Sequence, residues 1–169
     1  MQVTSSAGLD ILPTFAPDGA SIAYTSDKGG GLQIWRKPLL AGGCEIPLAA
    51  PDRSALGPAW SPDGSRIAYH DKERAGIWVV PATGGTALQV SRFGSRPAWS
   101  PDGTWIVFQS EPLIDFAPSS PGSLPPSTLW LVPGTGGDPR PLTRPGSPAG
   151  GHGAPRFSSD GRRVVFSSY

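Results

Sequence analysis

Trp60-Ser61-Pro62-Asp63-Gly64, followed shortly by Ile67-Ala68-Tyr69, is the stretch whose reading decides the fold. The phrase returns three times: Phe15-Ala16-Pro17-Asp18-Gly19 before Ile22-Ala23-Tyr24, Trp99-Ser100-Pro101-Asp102-Gly103 before Trp105-Ile106-Val107-Phe108, and Phe157-Ser158-Ser159-Asp160-Gly161 before Val164-Val165-Phe166. The leading aromatics stand at positions 15, 60, 99 and 157, which are 45, 39 and 58 residues apart. A period of about 40–45 residues is that of a four-stranded propeller blade. The long last interval contains an insertion, so the period holds.

The turn chemistry explains the phrase. Proline presets φ for the first central position of a type I turn. Aspartate suits the next position, where its carboxylate accepts backbone N–H bonds, and glycine then takes the left-handed conformation that returns the chain as a hairpin. A turn-former repeated in every unit accounts for all four aspartates without a catalytic role. Beyond the apolar strand comes an aliphatic–Trp pair, Ile34-Trp35, Ile77-Trp78 and Leu129-Trp130. A Gly-Gly turn follows at 42–43, 84–85 and 136–137, then a short outer strand around Ile46 to Ala49, Leu88 to Ser91 and Pro141 to Thr143. Each unit therefore reads as short antiparallel strands joined by turns. Strands are expected near 12–16, 21–26, 32–38 and 44–49, with equivalents in the later units. The fixed register of Trp35, Trp60, Trp78, Trp99 and Trp130 predicts packing between units, and Trp105, outside that register, is expected to be exposed.

Composition sets further bounds. The chain has 169 residues, 14 Lys and Arg, 13 Asp and Glu, and a net charge of +1 without a basic run, so no nucleic-acid partner is expected. Its 23 glycines and 21 prolines fall largely at repeated turns and indicate all-β structure rather than disorder. No apolar run reaches membrane-spanning length, so no membrane insertion is expected. Met1 to Ser5 lacks a signal-peptide pattern, which leaves a cytoplasmic chain or a piece whose targeting signal lies elsewhere. No Gly-x-Ser-x-Gly elbow, phosphate loop or Asp-x-Asp-x-Asp calcium loop occurs. His70 and His152 are isolated, and Cys44 is a lone cysteine without zinc spacing. No catalytic, cofactor-binding or metal-binding residue is predicted, and a non-enzyme is expected.

The segment 111–127, Glu111 to Ser127, interrupts the third unit with prolines that forbid regular structure, and it must lie on the surface. It opens on the face opposite the Pro-Asp-Gly hairpins, where the charged, irregular loops gather. That face supplies the candidate partner-binding residues: His70, Asp71, Arg74, Arg92, Phe93, Arg96, Phe116, His152 and Arg156. Arg92 and Arg96 offer bidentate bonds to partner carboxylates, and Phe93 offers an apolar anchor or packs between units. Asp71, placed in a surface loop, is expected to tolerate replacement by alanine.

The second repeat, Pro58 to Ser91, resembles the TolB-like β-propeller repeat, a WD-repeat-like family, in every element, and the likeness extends over nearly the whole chain. The first repeat departs at Phe15 and Ala16, the fourth at Ser159. The resemblance implies one partial propeller domain over 1–169, with repeats near 12–49, 57–91, 96–143 and 154–169, about three and a half blades in all. It implies a non-catalytic scaffold for a protein or peptide partner, in a periplasmic or extracytoplasmic setting. The alternative it also carries is a fragment of the gating propeller of a prolyl-oligopeptidase-type hydrolase, or a sensor domain of a larger regulatory protein. In such propellers an N-terminal outer strand closes the ring, a part that Gln2-Val3-Thr4 resembles. The pattern breaks off at Tyr169 after the second strand of the fourth unit, which predicts further chain or self-association through the unfinished edge.

Overall fold

The computed structural model describes residues 8–40, 42–48, 54–111 and 127–168. Four antiparallel sheets follow one another along the chain, and no helix occurs among the described residues. The first contains β1 (Asp10–Phe15), β2 (Ser21–Ser26), β3 (Gln33–Pro38) and β4 (Ile46–Pro47) in that order. The second contains β5 (Ala55–Trp60), β6 (Arg66–Asp71), β7 (Ile77–Pro81) and β8 (Leu88–Ser91). The third contains β9 (Ser95–Trp99), β10 (Trp105–Gln109), β11 (Leu129–Pro133) and β12 (Arg140–Pro141). The fourth pairs β13 (His152–Phe157) with β14 (Val164–Ser168). This is the all-β propeller expected, with four-stranded blades and a final pair of strands. The strand proposed for Gln2-Val3-Thr4 lies outside the described residues.

The hairpin turns follow the sequence logic closely. Gly19, Gly64, Gly103 and Gly161 have φ of 68°, 70°, 71° and 69°. Each donates its N–H to the residue three before it, Ala16, Ser61, Ser100 or Ser158, at 2.9 Å. The aspartate caps the turn: Asp63 accepts from Ser61 Oγ at 2.5 Å, Ser65 N at 3.1 Å and Ser65 Oγ at 2.6 Å. The hairpins also stack. A Cβ on Gly64 would lie 3.7 Å from Pro17, one on Gly103 3.4 Å from Pro62, and one on Gly161 3.5 Å from Pro101.

The core lies between sheets, because a propeller blade is covered on both faces by its neighbours. The second strand of each of the first three blades is therefore almost wholly buried, β2 completely so, whereas β14 in the final pair is largely exposed. Side chains alternate between the two interfaces, as strand geometry requires. Ile67 and Tyr69 join Ala23, Ile34 and Val80 between the first and second blades. Ala68 between them joins Ile77, Val79, Ile106 and Phe108 at the next interface. Trp60 and Trp78 pack on the first cluster, and Trp130 packs on the second, which contains Trp99. Two indoles also latch successive blades: Trp60 Nε1 donates to Thr14 O at 3.3 Å, and Trp99 Nε1 to Ala59 O at 3.0 Å. Trp105, expected to be exposed, is half-buried beneath the Arg140 guanidinium, 4.2 Å from its ring centre. Its strand neighbours place it under the outer strand, which its register in the repeat did not reveal.

Candidate functional site

The inner strands β1, β5, β9 and β13 contact one another in succession and line the propeller axis. Each carries a β-bulge where its pairing with the second strand shifts register. At every bulge one residue is left-handed: Leu12 at φ 53°, Gly57 at 62°, Arg96 at 52° and Ala154 at 50°. Only glycine is at ease there; a side chain in this region carries strain of about 1–3 kcal/mol. Proline follows each time, at 13, 58, 97 and 155. An inner strand is an edge strand, so proline's missing N–H costs no ladder bond. The preceding blade props the bulge: Thr25 Oγ1 accepts from Gly57 N at 3.2 Å, and Gln109 Oε1 accepts from Ala154 N at 2.8 Å. His70 occupies the corresponding position of the second blade, one residue after the buried Tyr69. The proline two places before each repeated aromatic was the sequence signal for this feature.

The bulged strands enclose an open axial trough of about 1000 Å³. Its walls are apolar where Leu12, Pro13, Phe15, Pro58 and Pro97 turn inward. Lys72, Arg92, Arg96 and Arg156 bring positive charge to it, against one carboxylate among the described residues, Glu111. Arg92, Arg96 and Arg156 enter no ion pair among the described residues. Arg156 is exposed to solvent along part of its length, and its Nη1 donates to Pro155 O at 2.8 Å. Desolvation by the surrounding wall lowers its pKa, and the nearby Arg96 charge lowers it further. Two guanidinium groups of like charge thus share the trough wall, with no ion-pair partner for either among the described residues.

The structure divides the nine residues singled out in the sequence. His70, Arg92, Phe93, Arg96 and Arg156 all line the trough. Phe93 is only half-available, because its ring packs edge-on against Phe108 at 5.4 Å and Trp130 at 5.1 Å. Arg74 is exposed but lies outside the trough, its guanidinium 4.5 Å from the Trp78 ring centre. Asp71 and His152 must be withdrawn from the surface. Asp71 is 1% exposed and accepts the backbone N–H of Glu73 at 3.1 Å and of Arg74 at 2.9 Å, closing the loop after β6. His152 is fully buried, 2.9 Å from both Thr143 Oγ1 and Pro148 O, with Phe166 edge-on at 5.0 Å. Its ring holds the connection between the third and fourth blades together. Phe116 lies outside the described residues, as does most of the insertion 111–127. Among the described residues no three His, Cys, Asp or Glu side chains gather as a metal site, and no helix is long and apolar enough to cross a membrane.

The model of the family described as the TolB beta propeller domain matches residues 1–113. Among curated relatives, the Tol-Pal system protein TolB of Anaeromyxobacter dehalogenans is 36% identical over 81 residues, which is 47% of this chain and 18% of that protein. The protein of the same name from Bordetella pertussis is 49% identical over 41 residues, covering 24% of this chain and 9% of that one. The aligned stretches thus span less than a fifth of those relatives' length. The crystal structure of TolB from Acinetobacter baumannii superposes with a TM-score of 0.72 at 20% identity, over 97% of this chain and 39% of that chain. At that identity the likeness is one of fold.

Proposed function

The chain belongs to the TolB β-propeller family, and we propose that it serves as a non-catalytic module that binds a partner protein along its axial trough. The observation that carries the reading is the contrast within the trough: exposed arginines without ion pairs among the described residues, beside inward-turned apolar residues. Arginine is enriched at interfaces, and concave surfaces of mixed apolar and charged character suit recognition. The relatives are proteins of the Tol-Pal system, so the partner is to be sought first among the components of such a system. A pull-down from native lysate tests the site. The Arg92→Ala/Arg96→Ala double variant is expected to lose the partner, while Arg74→Ala, outside the trough, retains it. Equal recovery by all three proteins would move the site elsewhere. Turnover of a peptide or ester by the purified chain would overturn the non-catalytic reading.

A further inference from the structure

The left-handed bulge presents one residue per blade to the axis, and the four blades present different chemistry. Glycine at position 57 satisfies the backbone without strain, whereas position 96 carries arginine at φ 52° before a proline. The fold needs the left-handed turn; it does not need a guanidinium there. Arg96 on β9 and Arg156 on β13, strands that contact one another, both line the trough instead, and neither has a carboxylate partner among the described residues. Arg92 and Lys72 extend the positive wall toward the loops, and Pro13, Pro97 and Leu12 supply apolar surface beside it. The chain as a whole is nearly neutral, with a net charge of +1, so this concentration of positive charge is local to the trough.

We propose that Arg96 and Arg156 form a clamp for a carboxylate on an extended acidic peptide lying in the trough. The planar guanidinium presents parallel N–H donors that match a carboxylate, and two of them facing one anion relieve their mutual repulsion. The apolar walls favour a peptide with aliphatic or proline residues between its acids over a polyanion that is charged throughout. The proposal rests on the reading of the trough as a protein-binding site and specifies the chemistry of its occupant.

Fluorescence anisotropy with a labelled oligoglutamate peptide interrupted by leucines tests it at low ionic strength, using the 169-residue chain. Wild type binds this peptide and not its lysine counterpart. Arg96→Gly weakens binding about tenfold or more, the scale of a lost hydrogen bond to a charged group. Its Tm stays equal or rises, because glycine accepts the left-handed conformation freely. Arg156→Gln, at an ordinary backbone position, weakens binding similarly, and Arg74→Gln leaves it unchanged. Wild type ignoring the acidic peptide would overturn the proposal, as would unchanged affinity in both Arg96→Gly and Arg156→Gln. Tighter binding of polygalacturonate than of the peptide would assign the clamp to an acidic polysaccharide instead. If the oligoglutamate peptide fails while the Arg92→Ala/Arg96→Ala variant still loses its protein partner in the pull-down, the trough remains a protein site and only the acidic chemistry is rejected.

Discussion

The hairpin face and the axial trough use the same residue types to opposite ends. On the hairpin face Asp63, Asp102, Arg66 and Arg36 are spent within the fold. Asp63 and Asp102 accept from the serine and from the hydroxyl and amide that flank them. Arg66 donates to Gly134 O at 3.2 Å and Gly103 O at 3.5 Å in the next blade, with its guanidinium 4.7 Å from the Trp99 ring centre. Arg36 likewise reaches Ala82 O at 3.2 Å across the first interface. In the trough, Arg92, Arg96 and Arg156 have no such acidic or cross-blade partner among the described residues. The hairpin face repeats from blade to blade, and the trough varies from blade to blade. Repetition marks what holds the blades together, and variation marks what the surface is for.

The sharpest way to break the contrast is to put a side chain on a glycine of each region. In the trough wall, a Cβ on Gly94 would sit 2.2 Å from Phe108 Cδ2 and 2.8 Å from Gln109 O, at φ +96°. Gly94→Ala combines a core clash with backbone strain and is expected to cost more than about 3 kcal/mol, measured by urea unfolding. On the hairpin face, Gly64 has no closer neighbour than Pro17 at 3.7 Å, so its substitution meets strain alone. Gly64→Val should cost about 1–3 kcal/mol by the same assay. Equal losses for the two would mean that packing against Phe108 contributes nothing.

Asp71 supplies the next test, because the structure reverses its expected tolerance. Its carboxylate closes the loop onto two backbone amides in a buried position. Asp71→Ala leaves those donors unsatisfied and is expected to cost about 1–3 kcal/mol. A Tm indistinguishable from wild type would return Asp71 to the surface.

The smallest effect is the pH dependence of the hairpin face. Hydrogen bonds from Ser61 and Ser65 hold the Asp63 carboxyl down at about 2, and Asp102 and Asp160 are lowered by their serine and amide donors. A carboxylate whose folded pKa lies below its unfolded value stabilises the fold above the unfolded pKa. That contribution is lost as pH falls toward the folded pKa. Stability should therefore decline modestly between about pH 4, the unfolded carboxylate range, and about pH 2 for Asp63. Solvent screening keeps the amplitude small at such exposed sites. Scanning calorimetry of Asp63→Asn should show a shallower decline; an identical profile would remove the hairpin carboxylates from the acid transition.

The hairpins were legible in the sequence because their chemistry is local: Ser61 to Arg66 contains every group that closes the turn. The trough bulges were harder to read, although Pro13, Pro58, Pro97 and Pro155 marked them. Leucine, arginine and alanine do not choose left-handed φ by propensity; it is imposed where pairing with the second strand shifts register, with Gln109 propping Ala154. Arg92, Arg96 and Arg156 were found as exposed charges on the loop face, and that much follows from topology. Asp71 closes its loop through the local amides of Glu73 and Arg74, whereas the burial of His152 was not readable, because it depends on groups brought in from elsewhere in the fold. Thr143 and Pro148 flank the His152 ring only after the third blade has closed onto the fourth.

The stacking of Gly64 on Pro17, Gly103 on Pro62 and Gly161 on Pro101 gives each blade a plug and a socket. The glycine offers a bare backbone to the blade before, and the proline offers a flat ring to the blade after. Both halves of the joint travel in one short phrase, so a duplicated blade arrives already fitted to copies of itself. A joint made only between neighbours confines a defect to one seam, as expected of arrays whose stability sums over adjacent units. The fourth unit keeps the glycine but has Ser159 in place of the proline. It accepts a predecessor on the same terms as the others and would present a different connector to whatever docks beyond it.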